Sequence, residues 1–402
     1  MLSVAGSGTA GAAVGVTFGN VTTTDVRGVL ERRYRSYAAG RPATPFAITS
    51  DGGPGHVIGA GEPAFTITVA DARGARALAS LDQFGVAVSY LRGWLDVDGD
   101  VAAALRMRDF FTDLHPLAWA ARFAPALLRP GRRQAADDRD IAHHYDEDPD
   151  FFLTFLDTRH RCYTEGVFAA DDEPLEDAVT RKLDLALTAI GVGPGDHVLE
   201  VGGGWGAFAE HAARRGINVT TLTLSVESER FLNSLFEREG LEVRVIREHL
   251  LGHTPDRRYD AVVNMGVTEH LPDYRRTLRA YARALRPGGR VYCDALAMRR
   301  KHSASTFMKR YIYPGSSTPL LLHQYLRHVA RSPFELLSIA DDRHNYHLTC
   351  REWARRLDAA RDEIVQRWGD PLYRRFRLFL WGSAAGFDTG LVQAYRWVLH
   401  LP

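Results

Sequence analysis

The sequence is poor in what would tie it to a membrane span, a disulfide framework or a polyanion. Its 402 residues hold three cysteines, Cys162, Cys293 and Cys350, far apart and without C-x-x-C spacing. An odd, scattered set excludes a disulfide scaffold, offers no zinc site, and suits a reducing, cytoplasmic compartment. Apolar runs are short, none reaching the roughly 18 residues that a membrane-spanning helix needs. Residues 1–20, rich in Ala, Gly, Val and Thr, lack a basic start and an unbroken apolar stretch, and read as a flexible lead-in. The formal charge of +1 gives no reason to expect nucleic acid. Any membrane contact is therefore peripheral.

What is present is ordinary for a globular chain, 45% hydrophobic and 25% charged, and long enough for two domains. Residues 21–128 mix short alternating runs with turns. Phe65-Thr66-Ile67-Thr68-Val69 has strand periodicity and Asp51-Gly52-Gly53-Pro54-Gly55 is a turn cluster, so a small α+β domain is expected. Asp96-Val97-Asp98-Gly99-Asp100 superficially suggests a calcium loop, but Met107 stands where the twelfth-position carboxylate belongs. Residues 115–128 set Leu117, Trp119, Phe123, Leu127 and Leu128 among arginines, a pattern that suits either a membrane-surface helix or a helix packed between domains. The composition shift over 129–141 reads as a linker, leaving 142–402 as the second domain.

That second part is regular. Helical and strand patterns alternate: helix 180–190, strand 198–201, helix 207–215, strand 219–224, helix 227–239, strand 243–246, strand 259–264, helix 274–285, and a strand 290–293 after the turn Arg286-Pro287-Gly288-Gly289. Alternation of this kind predicts an α/β fold with a doubly wound, mostly parallel sheet that binds ligands at the carboxyl ends of its strands. Residues 202–206, 223–225 and 266–270 fall at such ends and are expected to share one crevice.

The apolar strand Val198-Leu199-Glu200-Val201 breaks into Gly202-Gly203-Gly204-Trp205-Gly206 before a helix. Such a turn lets a ligand approach the backbone, although helix–sheet packing uses similar turns. The spacing is not G-x-G-x-x-G, and the next strand ends in Thr223-Leu224-Ser225 without a carboxylate, which disfavours a dinucleotide. With Glu200 inside the first strand, Tyr259-Asp260-Ala261-Val262-Val263, and Leu285-Arg286-Pro287-Gly288-Gly289, the chain resembles S-adenosylmethionine (SAM)-dependent methyltransferases.

Further segments narrow the resemblance: residues 90–100, His144-Tyr145-Asp146 with Asp150-Phe151, 163–168, 266–270, 311–314 and 379–387. Together they identify the chain as similar to the cyclopropane fatty acid synthase family. That resemblance implies a Rossmann-like class I SAM methyltransferase domain with a helical insertion over an acyl site, preceded by an α+β lipid-binding domain. It implies phospholipid acyl chains as substrate, at the inner face of the cell membrane. Carried over by position, Tyr163 and Thr164 contact SAM, as do Glu200, Gly202, Gly204, Trp205 and Gly206 at the turn. Thr223 and Leu224 lie at the ribose and adenosine. Ser228 stands where the family usually has Gln, and Glu248 and His249 fall near adenine when a one-residue gap is allowed. No metal is implied.

The departures carry the chemistry. The family's Tyr-Ser-Cys is here Tyr163-Thr164-Glu165, and its histidine after the Pro-Gly-Gly turn is Asp294; Glu269 and Tyr346 are kept. In the family, that cysteine, glutamate, histidine and tyrosine hold a bicarbonate base. Two new carboxylates repel an anion, so no bicarbonate is expected, and Glu165 is expected to act as the base. Crowded carboxylates raise one another's pKa, with Arg343 or His344 as expected neutralisers. Trp205, Tyr346 and Phe387 are candidates to steady a cation through their rings. A built-in glutamate resembles the actinobacterial branch that makes 10-methylene acyl chains, precursors of tuberculostearic-type lipids, beside a flavin- and NADPH-dependent reductase. A cyclopropane synthase is the first alternative. An N-methyltransferase is the second, because alkaloid-methylating relatives use a carboxylate–histidine pair like Glu269-His270, and a catalytically dead lipid-binding protein is the third. A homo-oligomer is compatible with all of these.

Overall fold

Phe65, Ile67 and Val69 are buried while Thr66 and Thr68 are not, so the alternation read in the sequence is a half-buried strand in the computed structural model. The structure describes residues 17–18, 21–50, 53, 55–111, 148–299, 307–312 and 319–402. The chain divides into two compact units, Met1–Ala120 and Ala121–Pro402. The segments 115–128 and 129–141 and the residues His144, Tyr145 and Asp146 lie outside the described residues.

The first unit runs β1 (Thr17–Phe18), β2 (Val21–Thr22), α1 (Thr23–Ala38), β3 (Phe46–Ser50), β4 (His56–Ile58), β5 (Phe65–Val69), α2 (Ala72–Ser80), α3 (Gln83–Leu91), β6 (Leu95–Gly99) and α4 (Val101–Arg106). Its sheet has the order β4-β3-β5-β6, with Phe46 stacked on Phe65 at 5.2 Å. The calcium-like segment has structural uses instead. Asp96 to Gly99 pair along β5, and Asp100 caps α4 by accepting from the Ala103 N–H at 2.8 Å.

The second unit contains α5 (Pro149–Leu153), α6 (Leu175–Ile190), β7 (His197–Val201), α7 (Ala207–Ala213), β8 (Asn218–Thr223), α8 (Val226–Glu239), β9 (Val243–Arg247), β10 (Tyr259–Met265), α9 (Tyr274–Ala284), β11 (Leu285–Ala297), α10 (Leu322–Val329), β12 (Glu335–Asp341), α11 (Arg343–Ala359), α12 (Arg361–Trp368), α13 (Asp370–Asp388) and β13 (Gln393–His400). The seven-stranded sheet has the order β12-β13-β11-β10-β7-β8-β9. Strands β9, β8, β7, β10 and β11 are mutually parallel, and β13 runs antiparallel to β11 and β12. Val198, Leu199, Val262 and Val263 are wholly buried, as a parallel sheet covered on both faces requires.

Two elements start five residues before their expected positions, α6 at Leu175 and β11 at Leu285. β11 begins at Leu285, and pairing jumps from Tyr259↔Leu285 to Ala261↔Arg290, so the Pro-Gly-Gly turn is an excursion within the strand. Its glycines are held by Leu401, through Gly288 N–H to Leu401 O at 2.7 Å and Leu401 N–H to Gly289 O at 2.9 Å. The expected helical insertion is α11–α13, between β12 and β13. It buries Trp353, Leu357, Phe376 and Leu380 in one core with Phe151, Phe152 and Phe155.

Candidate active site

Because β10, β7 and β8 are neighbours, the segments after them emerge side by side at the carboxyl edge of the sheet, as the sequence implied. The turn after β7 needs glycine at 202. Its φ is +89°, and a Cβ there would sit 2.4 Å from Val267 Cγ2, on the segment after β10. The N–H groups of Gly202 and Gly203 both donate to Leu222 O at 2.9 Å, which ties the turn to β8. Ser228 donates its hydroxyl to Gly204 O at 2.7 Å, so this side chain holds the turn from α8. Trp205 is a core side chain, 5.4 Å from both Phe152 and Phe231. Glu200 is buried with Oε2 lacking a partner among the described residues, and burial pushes its pKa up to about 7. An orphaned acceptor beside a turn open to backbone approach fits a ligand that brings hydrogen-bond donors, as SAM does.

Around the turn, Thr223 accepts from the Ser225 N–H at 3.3 Å, and Leu224 is partly buried. Beyond β9, Glu248 pairs with His253 at 2.9 Å, and His249 Nδ1 accepts from the Leu251 N–H at 3.0 Å. Tyr163 packs between Phe152 and Trp353, with ring centroids at 5.3 and 5.4 Å.

The second half of the site is a wholly buried charge cluster. Glu165 and Asp294 flank Lys182 of α6, with the ammonium 3.0 Å from Glu165 Oε2 and 2.9 Å from Asp294 Oδ2. The ammonium also donates to Thr164 Oγ1 at 2.6 Å. Asp294 Oδ1 accepts from the Gly266 N–H at 2.8 Å, which binds the cluster to the end of β10. Gly266 has φ +67°, and a Cβ there would meet the Thr164 methyl at 2.6 Å. Glu165 Oε1 has no partner among the described residues. Burial first, and repulsion by Asp294 second, raise the Glu165 pKa to about 8 against the pull of Lys182; burial likewise raises Asp294.

The expected neutralisers, Arg343 and His344, do not take part. Arg343 donates to the carbonyls of Phe387 and Asp388, and His344 pairs with Asp171. Both begin α11 and turn to its outer side, whereas Lys182 projects from α6 into the cluster. Sequence reasoning missed Lys182. The signal was there: it interrupts the buried stripe Leu175, Ala178, Val179, Leu183, Ala186, Leu187 and Ile190, at a position where a charge needs partners.

Glu269 is buried near the same cluster, with Oε1 accepting from the Leu296 N–H at 3.4 Å, Oε2 unpartnered, and its pKa raised by burial to about 8. Desolvation lowers His270 to about 4, so its imidazole is neutral. Tyr346 stacks on Phe387 at 4.8 Å, and burial together with the charges of Glu165, Asp294 and Glu269 keeps its phenol protonated. Cys162, three positions from Glu165, lies 3.2 Å from Thr164 Oγ1 and is pushed up to about 11 by burial. All three cysteines are free and buried.

Comparison with known proteins agrees with this geometry. The family model described as mycolic acid cyclopropane synthetase matches residues 132–397. The tuberculostearic acid methyltransferase UfaA1 of Mycobacterium tuberculosis is 32% identical over 295 residues, 69% of this chain and 68% of that protein. The structure of the cyclopropane synthase MmaA2 from M. tuberculosis aligns with a TM-score of 0.61 at 25% identity, over 65% of this chain and 98% of that one. Coclaurine N-methyltransferase, bound to N-methylheliamine and S-adenosylhomocysteine (SAH), aligns at 0.63 with 17% identity over 79% of this chain and 99% of that one, a likeness of fold. A glycine turn that would fit SAM and a family match over most of the second unit lead to one assignment: the chain belongs to the mycolic acid cyclopropane synthetase family and is a SAM-dependent methyltransferase.

Proposed function

We propose that the chain methylates the double bond of an unsaturated phospholipid acyl chain, oleoyl in particular, and completes the reaction with its own carboxylate to give a 10-methylene acyl chain. The observation that carries the reading is Glu165: buried, anchored through Oε2, and left with one free oxygen. UfaA1, a tuberculostearic acid methyltransferase, supports the same direction. SAM, when bound, supplies an electrophilic methyl group. The turn at 202–206 holds it by backbone, and the aromatic core of α5, α11 and α13 excludes water from the cation that forms on the alkene. The cation lies on the alkene carbon beside the methylated one; a 1,2-hydride shift moves it to the methyl-bearing carbon, and Glu165 Oε1 then accepts a proton from the added methyl, whose C–H electrons form the exocyclic C=C.

Lys182 is already shared between Glu165 and Asp294 and leaves no positive charge over to hold bicarbonate, which supports a base belonging to the chain. The first unit would present the lipid at a membrane surface; among the described residues no helix is long and apolar enough to cross one. A separate flavin- and NADPH-dependent reductase would saturate the product. The family's own name favours a second reading, ring closure to cyclopropane.

Lipids from cells expressing the chain with oleate decide between them. Ozonolysis that cleaves the added methylene is the expected result; a mass-shifted acyl chain that survives ozonolysis means a ring. Glu165→Gln is expected to lower turnover by about 10²–10⁴-fold, and the parent to work at full rate without bicarbonate. A bicarbonate-dependent parent would refute the built-in base.

A further inference from the structure

Lys182 is the centre of a charge count that leaves one proton over. Its ammonium donates to Thr164 and Glu165 and forms an ion pair with Asp294. Arg396 of β13, the register partner of Asp294, is already paired with Asp342 at the start of α11. Tyr292 of β11 and Tyr346 and Cys350 of α11 also face Glu165, and burial keeps each of them protonated. Glu269, from the segment after β10, has no cation of its own and is held neutral by burial. Lys182 therefore balances one of Glu165 and Asp294, and not both. Asp294 Oδ2 meets Lys182 as an ion pair at 2.9 Å without a directed hydrogen bond, and Oδ1 accepts the Gly266 N–H, which favours the ionised form; Glu165 has no such N–H, and its Oε1 has no partner among the described residues. The leftover proton belongs on Glu165.

We propose that Lys182, a positioning residue whose single ammonium is shared between Asp294 and Glu165, leaves Glu165 protonated beside Asp294 until the sulfonium cation of SAM enters, so that SAM binding expels a proton to solvent and binding of the neutral thioether SAH does not. The added positive charge is what the second carboxylate lacks, and the base is armed only beside its methyl donor. The chain's composition agrees with a dedicated role. It has three lysines, Lys182, Lys301 and Lys309, against an otherwise arginine-only basic complement. The compact, three-donor ammonium suits three acceptors converging from separate elements, where a planar guanidinium does not.

The inference rests on Glu165 as acceptor but is read without turnover. Full-length protein is titrated with SAM and with SAH at pH 7, in two buffers of different ionisation enthalpy and without acyl substrate. About one proton released per SAM and none per SAH is the expected result. Glu165→Gln abolishes the release by removing the proton. Asp294→Asn abolishes it because Lys182 then holds Glu165 ionised from the outset, and Glu269→Gln leaves it intact. Equal release with both ligands, none with SAM, or release that survives Glu165→Gln and disappears with Glu269→Gln overturns the proposal. In Lys182→Met the sulfonium balances only one carboxylate, so the acid limb of turnover moves up by about one pH unit or more; an unmoved limb also overturns it. If that variant does not fold, Asp294→Asn carries the test. A parent that releases the proton yet makes no methylated lipid refutes the substrate reading and leaves this inference standing. Methylation without differential release does the reverse.

Discussion

Lys182 occupies the seventh position after Leu175 on the buried stripe of α6, where a chain with few lysines has placed an ammonium with no exposed surface. Removing it strands two carboxylates. Lys182→Met is expected to destabilise the folded protein by about 3–5 kcal/mol, and Lys182→Met with Glu165→Gln to recover part of that in thermal denaturation. The pH dependence has a definite sign. Glu165 titrates near 4.5 when unfolded and at about 8 when folded, so the folded state holds the proton longer. Stability falls as pH rises from 4.5 towards 8, and the Glu165→Gln variant gains on the parent over that window. Melting curves at pH 5 and pH 8 check it; a parent–variant difference that does not grow with pH contradicts it. At this scale the sequence showed half of the cluster. Glu165 and Asp294 stood out because they replace a cysteine and a histidine in a motif. Their cation did not, because the sequence distance of 17 residues to Lys182 is bridged only when α6 packs under the strand ends.

At the scale of elements, the alternation of apolar strands and amphipathic helices made β7 to β11 and the helices between them legible, since each buries a continuous apolar face. β12 was not legible. Leu336, Leu337 and Ile339 are exposed on an edge strand, so no burial periodicity marks it. β11 was read short because its turn residues sit inside the strand, a register jump that Leu401, distant in sequence, helps to hold. The glycine turn was legible in position but not in its supports. Ser228, which stands where the family usually has Gln, clamps Gly204, and Val267 fills the space beside Gly202. Gly202→Ala therefore collides with the segment after β10 and strains a left-handed backbone. We expect at least about tenfold weaker SAM binding with a far-ultraviolet spectrum like the parent's; unchanged affinity in calorimetry would show that the turn tolerates a side chain.

At the scale of the molecule, the catalytic unit from Ala121 to Pro402 carries the family match and every candidate site residue, and the unit before it carries the expectation of lipid binding. The ammonium of Lys182 also gives the whole unit a built-in reporter. An amine-acylating reagent cannot reach a side chain without exposed surface, nor acylate a nitrogen that a buried ion cluster keeps protonated. Labelling at 182 should therefore appear only in molecules that have opened far enough to lift α6 from the strand ends. In increasing urea, the mass of the peptide spanning 182 is expected to follow the global unfolding curve. Label acquired well before that transition would mean that α6 opens on its own. With so few lysines in the chain, the measurement amounts to a single-site clock for how often the buried charges meet water.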